Sequence, residues 1–221
     1  MPGALRTTLA AEALGSFLLF ACVIGSGIMA ERLAGGNVAV ALLGNTIATA
    51  AMLYVLIGML APLSGAHFTP AVTLVMAWRE RARPATVLAT IAVQIGAGVA
   101  GAWVAHAMFG LPLWQVSHHA RDGAGQWLGE FVATFGLVAT ILVTARNRPQ
   151  AIPASVALYI AAAYWFTSST SFANPAITLA RSLSDTFAGI APHSVPSFIV
   201  AQLAGALTAN VVAGPLLRPV S

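Results

Sequence analysis

Two short stretches of this chain read as copies of one another, so any fold must place both in equivalent settings. They are His67-Phe68-Thr69-Pro70-Ala71-Val72-Thr73-Leu74 and Phe172-Ala173-Asn174-Pro175-Ala176-Ile177-Thr178-Leu179. Each sets a polar residue, a proline and an alanine at the head of a short apolar run. Proline fits the first turn of a helix, where its missing N–H would have no partner anyway. Thr69 and Asn174 are then the N-cap residues, with side chains able to accept from the first free N–H groups. Runs of roughly ten residues are too short to cross a bilayer, which takes about 20. Two half-helices in corresponding places of two halves point to a pore or binding site near the membrane midplane.

The remaining sequence supplies the membrane spans. With 58% hydrophobic and only 7% charged residues, the chain is too apolar for an ordinary soluble domain. Six apolar segments, at about 8–29, 38–61, 84–107, 126–145, 152–170 and 196–217, are each long enough to span as helices. Between them stand Gly35-Gly36-Asn37, the run Arg79-Glu80-Arg81-Ala82-Arg83-Pro84, the 110–125 loop and Arg146-Asn147-Arg148-Pro149. The ten arginines are scattered at segment ends and form no basic face, so a nucleic-acid partner is excluded. Arg6, Arg79, Arg81, Arg83, Arg146, Arg148 and Arg218 fall on one side of six spans, with Arg32 and Arg121 on the other. The positive-inside rule then places both termini in the cytoplasm of a cell-membrane protein. Cys22, alone in an apolar segment, reads as a packing residue. No cleavage site follows the first span, which is expected to be retained.

The repeat extends beyond the boxes. Glu12-Ala13-Leu14-Gly15-Ser16-Phe17 answers Glu130-Phe131-Val132-Ala133-Thr134-Phe135, and Gln94-Ile95-Gly96-Ala97-Gly98 answers Gln202-Leu203-Ala204-Gly205-Ala206. Three spans per half is an odd number, so the halves are inverted in the membrane and their half-helices meet at their N-termini. The fold expected is all-α and membrane-embedded: six transmembrane helices plus two re-entrant half-helices in an inverted 3+3 repeat. It forms one domain over 1–221, with halves at about 1–110 and 126–221 joined by the 110–125 loop.

At these residues the chain resembles the aquaporin (major intrinsic protein) family, whose signature is a pair of Asn-Pro-Ala boxes in an inverted repeat. Ser64-Gly65-Ala66-His67-Phe68 and Asn174-Pro175-Ala176 match it, and the likeness covers nearly the whole chain. Two positions depart from the pattern: Thr69 stands where asparagine is usual, and Ile177 where arginine is usual. The resemblance implies a homotetramer with one pore per subunit. It also implies a narrow point built by four positions counted from the boxes: Thr49, Ala162, Ser171 and Ile177. In water-selective relatives these are aromatic, histidine, small and arginine. Here the set is small, small, small and aliphatic, which implies a wider, uncharged opening for solutes larger than water. The stretch from Asn174 to Ile190 most resembles bacterial aquaglyceroporins associated with arsenic resistance, which lack the filter arginine too. The implied solutes are neutral arsenite or methylated arsenicals, with glycerol-type polyols as the alternative within the same class.

Several residues can carry chemistry. Glu12 and Glu130 lie just inside spans 1 and 4, where a carboxylate is expensive. The non-helical arms 64–68 and 169–173 have N–H groups that need acceptors away from water. Glu12 and Glu130 are read as those acceptors, the role their counterparts hold in the family, in preference to a proton relay. The carbonyls of Gly65, Ala66 and His67, and of Ser171, Phe172 and Ala173, then face the lumen as a ladder of acceptors, suited to small neutral solutes. His67 reads as a fixed structural group. His118 and His119, beside Arg121 and Asp122, read as a solvated loop with no metal site. Gly96, Gly98, Gly101 and Gly205 read as close-packing contacts between helices. For Arg181, one turn beyond Ile177, two readings stand: it satisfies half-helix carbonyls or pairs with Asp185, or it is a displaced filter cation in the outer vestibule.

No cofactor is implied, and no nucleophile–base set suggests an enzyme. The rivals to a passive channel are an ion- or proton-coupled transporter built on broken helices and a closed-pore adhesion protein.

Overall fold

Helix ends fall where the turn-forming residues stand. The computed structural model describes residues 2–216. In it α1 (Pro2–Leu33) gives way to α2 (Val38–Ser64) across Gly35 and Gly36, both with positive φ. Asn37 caps α2 by accepting from the N–H groups of Ala39 and Val40. Gly65, at φ 85°, ends α2 and starts the first arm, and α3 (Pro70–Glu80) follows it. α4 (Pro84–Met108) opens on its proline, the long connection after it runs to Gly123, and α5 is Ala124–Asn147. A 3₁₀ turn, Pro149–Ala151, leads into α6 (Ile152–Phe166). The second arm precedes α7 (Pro175–Ser182), and a 3₁₀ turn at Pro192–Ser194 precedes α8 (Val195–Leu216).

Among the described residues, five helices are long and apolar enough to cross a membrane: α1, α2, α4, α5 and α8 with its 3₁₀ lead-in. α6 has 15 residues and ends at Phe166, short of the expected 170. The Thr167 hydroxyl turns back to the carbonyl of Ala163 (2.7 Å), and the chain leaves helical geometry there to form the second arm. The missing length belongs to the site rather than to the span. Residue 217 of the last expected span, and Arg218, lie outside the described residues.

The halves pack alike. α1 lies against α2 and α4 as α5 lies against α6 and α8, and α2 meets α6 across the centre. The half-helices α3 and α7 rest on α4 and α8 and touch each other. The α1–α4 and α5–α8 contacts close to backbone distance. A Cβ at Gly101 would sit 2.2 Å from the carbonyl oxygen of Phe17, and one at Gly205 would sit 2.3 Å from that of Phe131. Gly98 accommodates the Phe20 ring in the same way. Gly96 does not share this role, because nothing lies within 4 Å of the place its Cβ would take. Large apolar side chains such as Leu88, Leu158 and Val211 point outward, as on a surface solvated by lipid.

Candidate functional site

Each arm is held by one buried carboxylate. Glu12 accepts the N–H of His67 on Oε1 (2.9 Å) and that of Phe68 on Oε2 (2.8 Å). Glu130 accepts Phe172 (2.8 Å) and Ala173 (2.9 Å) in the same order. Both carboxylates are fully buried. A glutamine completes each clasp. Gln94 Nε2 donates to Glu12 Oε2 (2.8 Å) and to Thr73 Oγ1 (2.9 Å), and Gln202 Nε2 donates to Glu130 Oε2 (2.6 Å) and Thr178 Oγ1 (2.9 Å). Even the defect is shared, since Oε1 of each glutamine is buried without a donor among the described residues. The matched Gln94 and Gln202 mark the repeat in the sequence. Their hydrogen bonds to the matched glutamates are a further step that pattern alone does not reveal.

The arms adopt an alternating backbone. Ala66 and Phe68, and likewise Ser171 and Ala173, have φ between 48° and 52°. Left-handed geometry costs a non-glycine residue roughly 1–2 kcal/mol. A hydrogen bond to a charged group returns about 1.5–3 kcal/mol, so two N–H groups on one carboxylate offset the two strained residues of the first arm. They offset much of the cost of the second, where Thr170 is left-handed as well. With their N–H groups turned to the glutamate, the arms bring Gly65, Ala66, His67, Phe172 and Ala173 to the wall of a cavity of about 510 Å³.

The half-helix tips meet but do not match. Asn174 Oδ1 accepts from the N–H groups of Ala176 (2.9 Å) and Ile177 (3.3 Å), while Nδ2 donates across to the carbonyl of Phe68 (2.8 Å). Thr69 Oγ1 accepts from Ala71 alone (3.3 Å) and has no amide to send the other way. Pro70, Ala71, Pro175 and Ala176 form the buried first turns behind these caps. His67 Nδ1 lies 3.3 Å from Thr73 Oγ1, which fixes the ring beside the inner part of the cavity.

Of the four positions counted from the boxes, Thr49, Ser171 and Ile177 line the outer end of this cavity. Ala162 does not. It is exposed on the outside of α6, and Tyr164 faces inward instead, its hydroxyl 3.5 Å from Thr49 Oγ1. The count of twelve fails because α6 ends at Phe166, and two residues shift the facing side chain by about half a turn. Ser171 Oγ is buried without a partner among the described residues.

Arg181 is neither paired with Asp185 nor placed on the cavity wall. It is 3% exposed, its Nε donates to the carbonyl of Ala188, and its guanidinium carbon lies 3.3 Å from the centre of the Phe172 ring. Asp185 instead receives the backbone N–H of His118 (2.9 Å) and faces its ring Nδ1 at 3.1 Å. The His118 backbone and then its side chain hold the Asp185 carboxyl below its ordinary range. His119 also faces Asp185, at 3.8 Å, so the two histidines serve to fasten the loop.

A bundle of spans with two re-entrant half-helices around a central cavity defines a membrane channel. The sequence profile described as major intrinsic protein matches residues 3–170, and the chain belongs to that family. It is 53% identical over 209 residues to aquaglyceroporin AqpS of Rhizobium meliloti (strain 1021), covering 95% of this chain and 89% of the relative. It is 33% identical over 137 residues to the probable aquaporin PIP2-8 of Oryza sativa subsp. japonica, covering 56% of this chain and 47% of that one. The fold matches the X-ray structure of the aquaglyceroporin from Plasmodium falciparum with a TM-score of 0.67 at 19% identity, over 96% of this chain and 98% of that one.

The clasps give a direct expectation. Glu12→Gln or Glu130→Gln turns one acceptor oxygen into a donor that faces a backbone N–H. The loss is on the order of 3 kcal/mol for each arm, so folded yield falls before solute preference changes. Size-exclusion yield of detergent-extracted variants, with flux measured on the folded fraction, checks this. A full yield with altered pH dependence of transport would point to a proton relay instead.

Proposed function

We propose that solutes cross through the cavity between the arms, passively and uncharged, and that the cargo is small polyols such as glycerol together with neutral arsenite, with water able to follow. One observation carries this reading: the two sides of the cavity differ in kind. The polar backbone arms (Gly65, Ala66, His67, Phe172 and Ala173) and the half-helix caps Thr69 and Asn174 line one side, against Leu19, Val23, Leu53, Ile57, Val156 and Ile160 on the other. A polyol needs such a surface, with acceptors for its hydroxyls and apolar contact for its carbon chain. The 53% identity to a protein named an aquaglyceroporin supports the same class of cargo. The arsenite reading rests on resemblance. Among the described residues, those lining the cavity from the half-helix tips outward include no carboxylate, imidazole or cationic side chain, and proton coupling would need one there. The filter is proposed as Thr49, Ser171, Ile177 and, in place of Ala162, Tyr164.

The protein is further proposed to be a homotetramer in the cell membrane, the inner membrane of a bacterium, with both termini in the cytoplasm. The grouping of arginines at one end of the spans supports the orientation.

Stopped-flow flux in proteoliposomes tests the reading. Glycerol and arsenite should equilibrate several times faster than in empty vesicles and never accumulate against a gradient. Accumulation driven by a proton gradient would sink the channel reading. Ile177→Arg puts a guanidinium beside Ser171 and should cut glycerol flux by about tenfold while sparing water. Equal loss of both, or of neither, in a folded variant would remove Ile177 from the filter.

Thr69→Asn should restore the missing cross-tie at the midplane, sending an amide toward the carbonyl of Ala173, the counterpart of Phe68. The variant should fold normally and change water or proton permeability more than glycerol flux. Paired flux and pH-dye assays on matched vesicles decide it. Abolished glycerol flux with unchanged water and proton permeability would contradict the account of this residue.

A further inference from the structure

The connection between α4 and α5 has no helix of its own, yet it is tied down along its length. Ser117 N–H donates to the carbonyl of Ser182 (2.9 Å), Ala191 N–H to that of His119 (2.7 Å), and Arg121 N–H to Ser194 Oγ (3.2 Å). Asp122 takes the Ser194 hydroxyl (2.7 Å) and faces His193 Nε2 (3.0 Å). Gly189 lets the loop come this close, since a Cβ there would stand 2.3 Å from Ser117 Oγ. The outcome of this fastening is the position of one side chain, Arg121.

Arg121 Nε donates to the carbonyl of Gly189 (2.8 Å), and its guanidinium carbon stands 5.0 Å from the centre of the Phe172 ring, the same ring that carries Arg181. Two guanidiniums therefore share the phenyl of Phe172, a residue of the cavity wall, although neither arginine lines the cavity itself. Among the described residues neither makes an ion pair. The nearby acids are committed: Glu130 to the arm, Asp122 to Ser194 and His193, and Asp185 to the histidines. Arg181 is enclosed, whereas Arg121 is half-buried, and its terminal nitrogens have no protein acceptor among the described residues.

We propose that Arg121 supplies the outer mouth with the cation missing from position 177, its charge reinforced by Arg181 behind the shared Phe172 ring. The proposal rests on the channel reading above and refines its uncharged filter: the lining is neutral, but the field at its entrance is positive. Neutral hydroxylated solutes meet free N–H donors there, and cations are repelled. Because the cation stands on a docked loop rather than in the ring of lining residues, it narrows the passage less than an arginine at 177 would.

The test compares Arg121→Gln, Arg121→Lys and Arg121→Cys (the last with Cys22→Ala) in proteoliposomes, measuring glycerol flux beside proton and potassium leak. The ratio of glycerol flux to cation leak should fall by about tenfold in Arg121→Gln and much less in Arg121→Lys. Treating Arg121→Cys with a cationic methanethiosulfonate should return the ratio toward wild type, and an anionic one should not. A ratio unchanged in Arg121→Gln would overturn the proposal. So would equal loss in Gln and Lys variants, because lysine keeps the charge but not the Nε bond and Arg121 would then be an anchor alone. Should the cysteine variant fail to fold, the Gln and Lys pair still decides. Failure of the channel reading shows separately, as absence of glycerol flux in the wild type.

Discussion

Everything functional in this molecule hangs on two buried carboxylates accepting backbone N–H groups. The non-helical arms lie at membrane depth, where an unpaired amide costs several kcal/mol. Glu12 and Glu130 remove that cost and set a direction at the same time. With the N–H groups turned toward the glutamates, the alternating backbone brings the arms' other face to the cavity. Gln94 and Gln202 brace the carboxylates from α4 and α8, and tie them to Thr73 and Thr178 on the half-helices. Arm, half-helix and two spans are thereby one polar unit, present twice. The close helix contacts at Gly101 and Gly205 bring α4 against α1 and α8 against α5, so that glutamine and glutamate are in reach of one another.

Within this two-fold frame the two halves depart from symmetry along the cavity. The first box has a cap, Thr69, that serves its own half-helix only, whereas Asn174 also binds the opposite arm. The outer end is apolar at Ile177, with Tyr164 reaching toward Thr49 across the cavity. The outer loop belongs to neither half and lies over this end, held by Ser194, Gly189 and Asp185. The inner end differs again, being lined by Glu80 and His67. The repeat builds the cavity, and under the proposed function the unrepeated residues set what passes through it.

Much of this was legible in the sequence, and the reasons are local. Proline after a capping residue marks a helix start, the short apolar run behind it makes that helix a half-helix, and two copies define a repeat. Apolar length gives the spans, and arginine groups them by side. The four-position count reads Thr49, Ser171 and Ile177 onto the cavity but puts Ala162 there too, since a count cannot sense that α6 stops at Phe166 and presents a different face. The fates of Arg181 and Arg121 were not legible for a deeper reason. Arg121 depends on Phe172 and the carbonyl of Gly189, which lie far from it in the chain. Arg181 depends on Phe172 and the carbonyl of Ala188, near in sequence but brought to it by the irregular segments on either side of α7. Gly96 shows the converse error: a small residue in a matched motif that faces open space.

The central claim is that the arms are rigid because carboxylates hold their amides. Residue-resolved hydrogen–deuterium exchange on the wild-type protein in lipid nanodiscs tests it most directly. The account predicts that the amides of His67, Phe68, Phe172 and Ala173 exchange as slowly as mid-helix amides of α1 and α5, although they belong to non-helical segments beside a solute path. Exchange of these four amides at the rate of the exposed turn at Gly35 and Gly36 would contradict it.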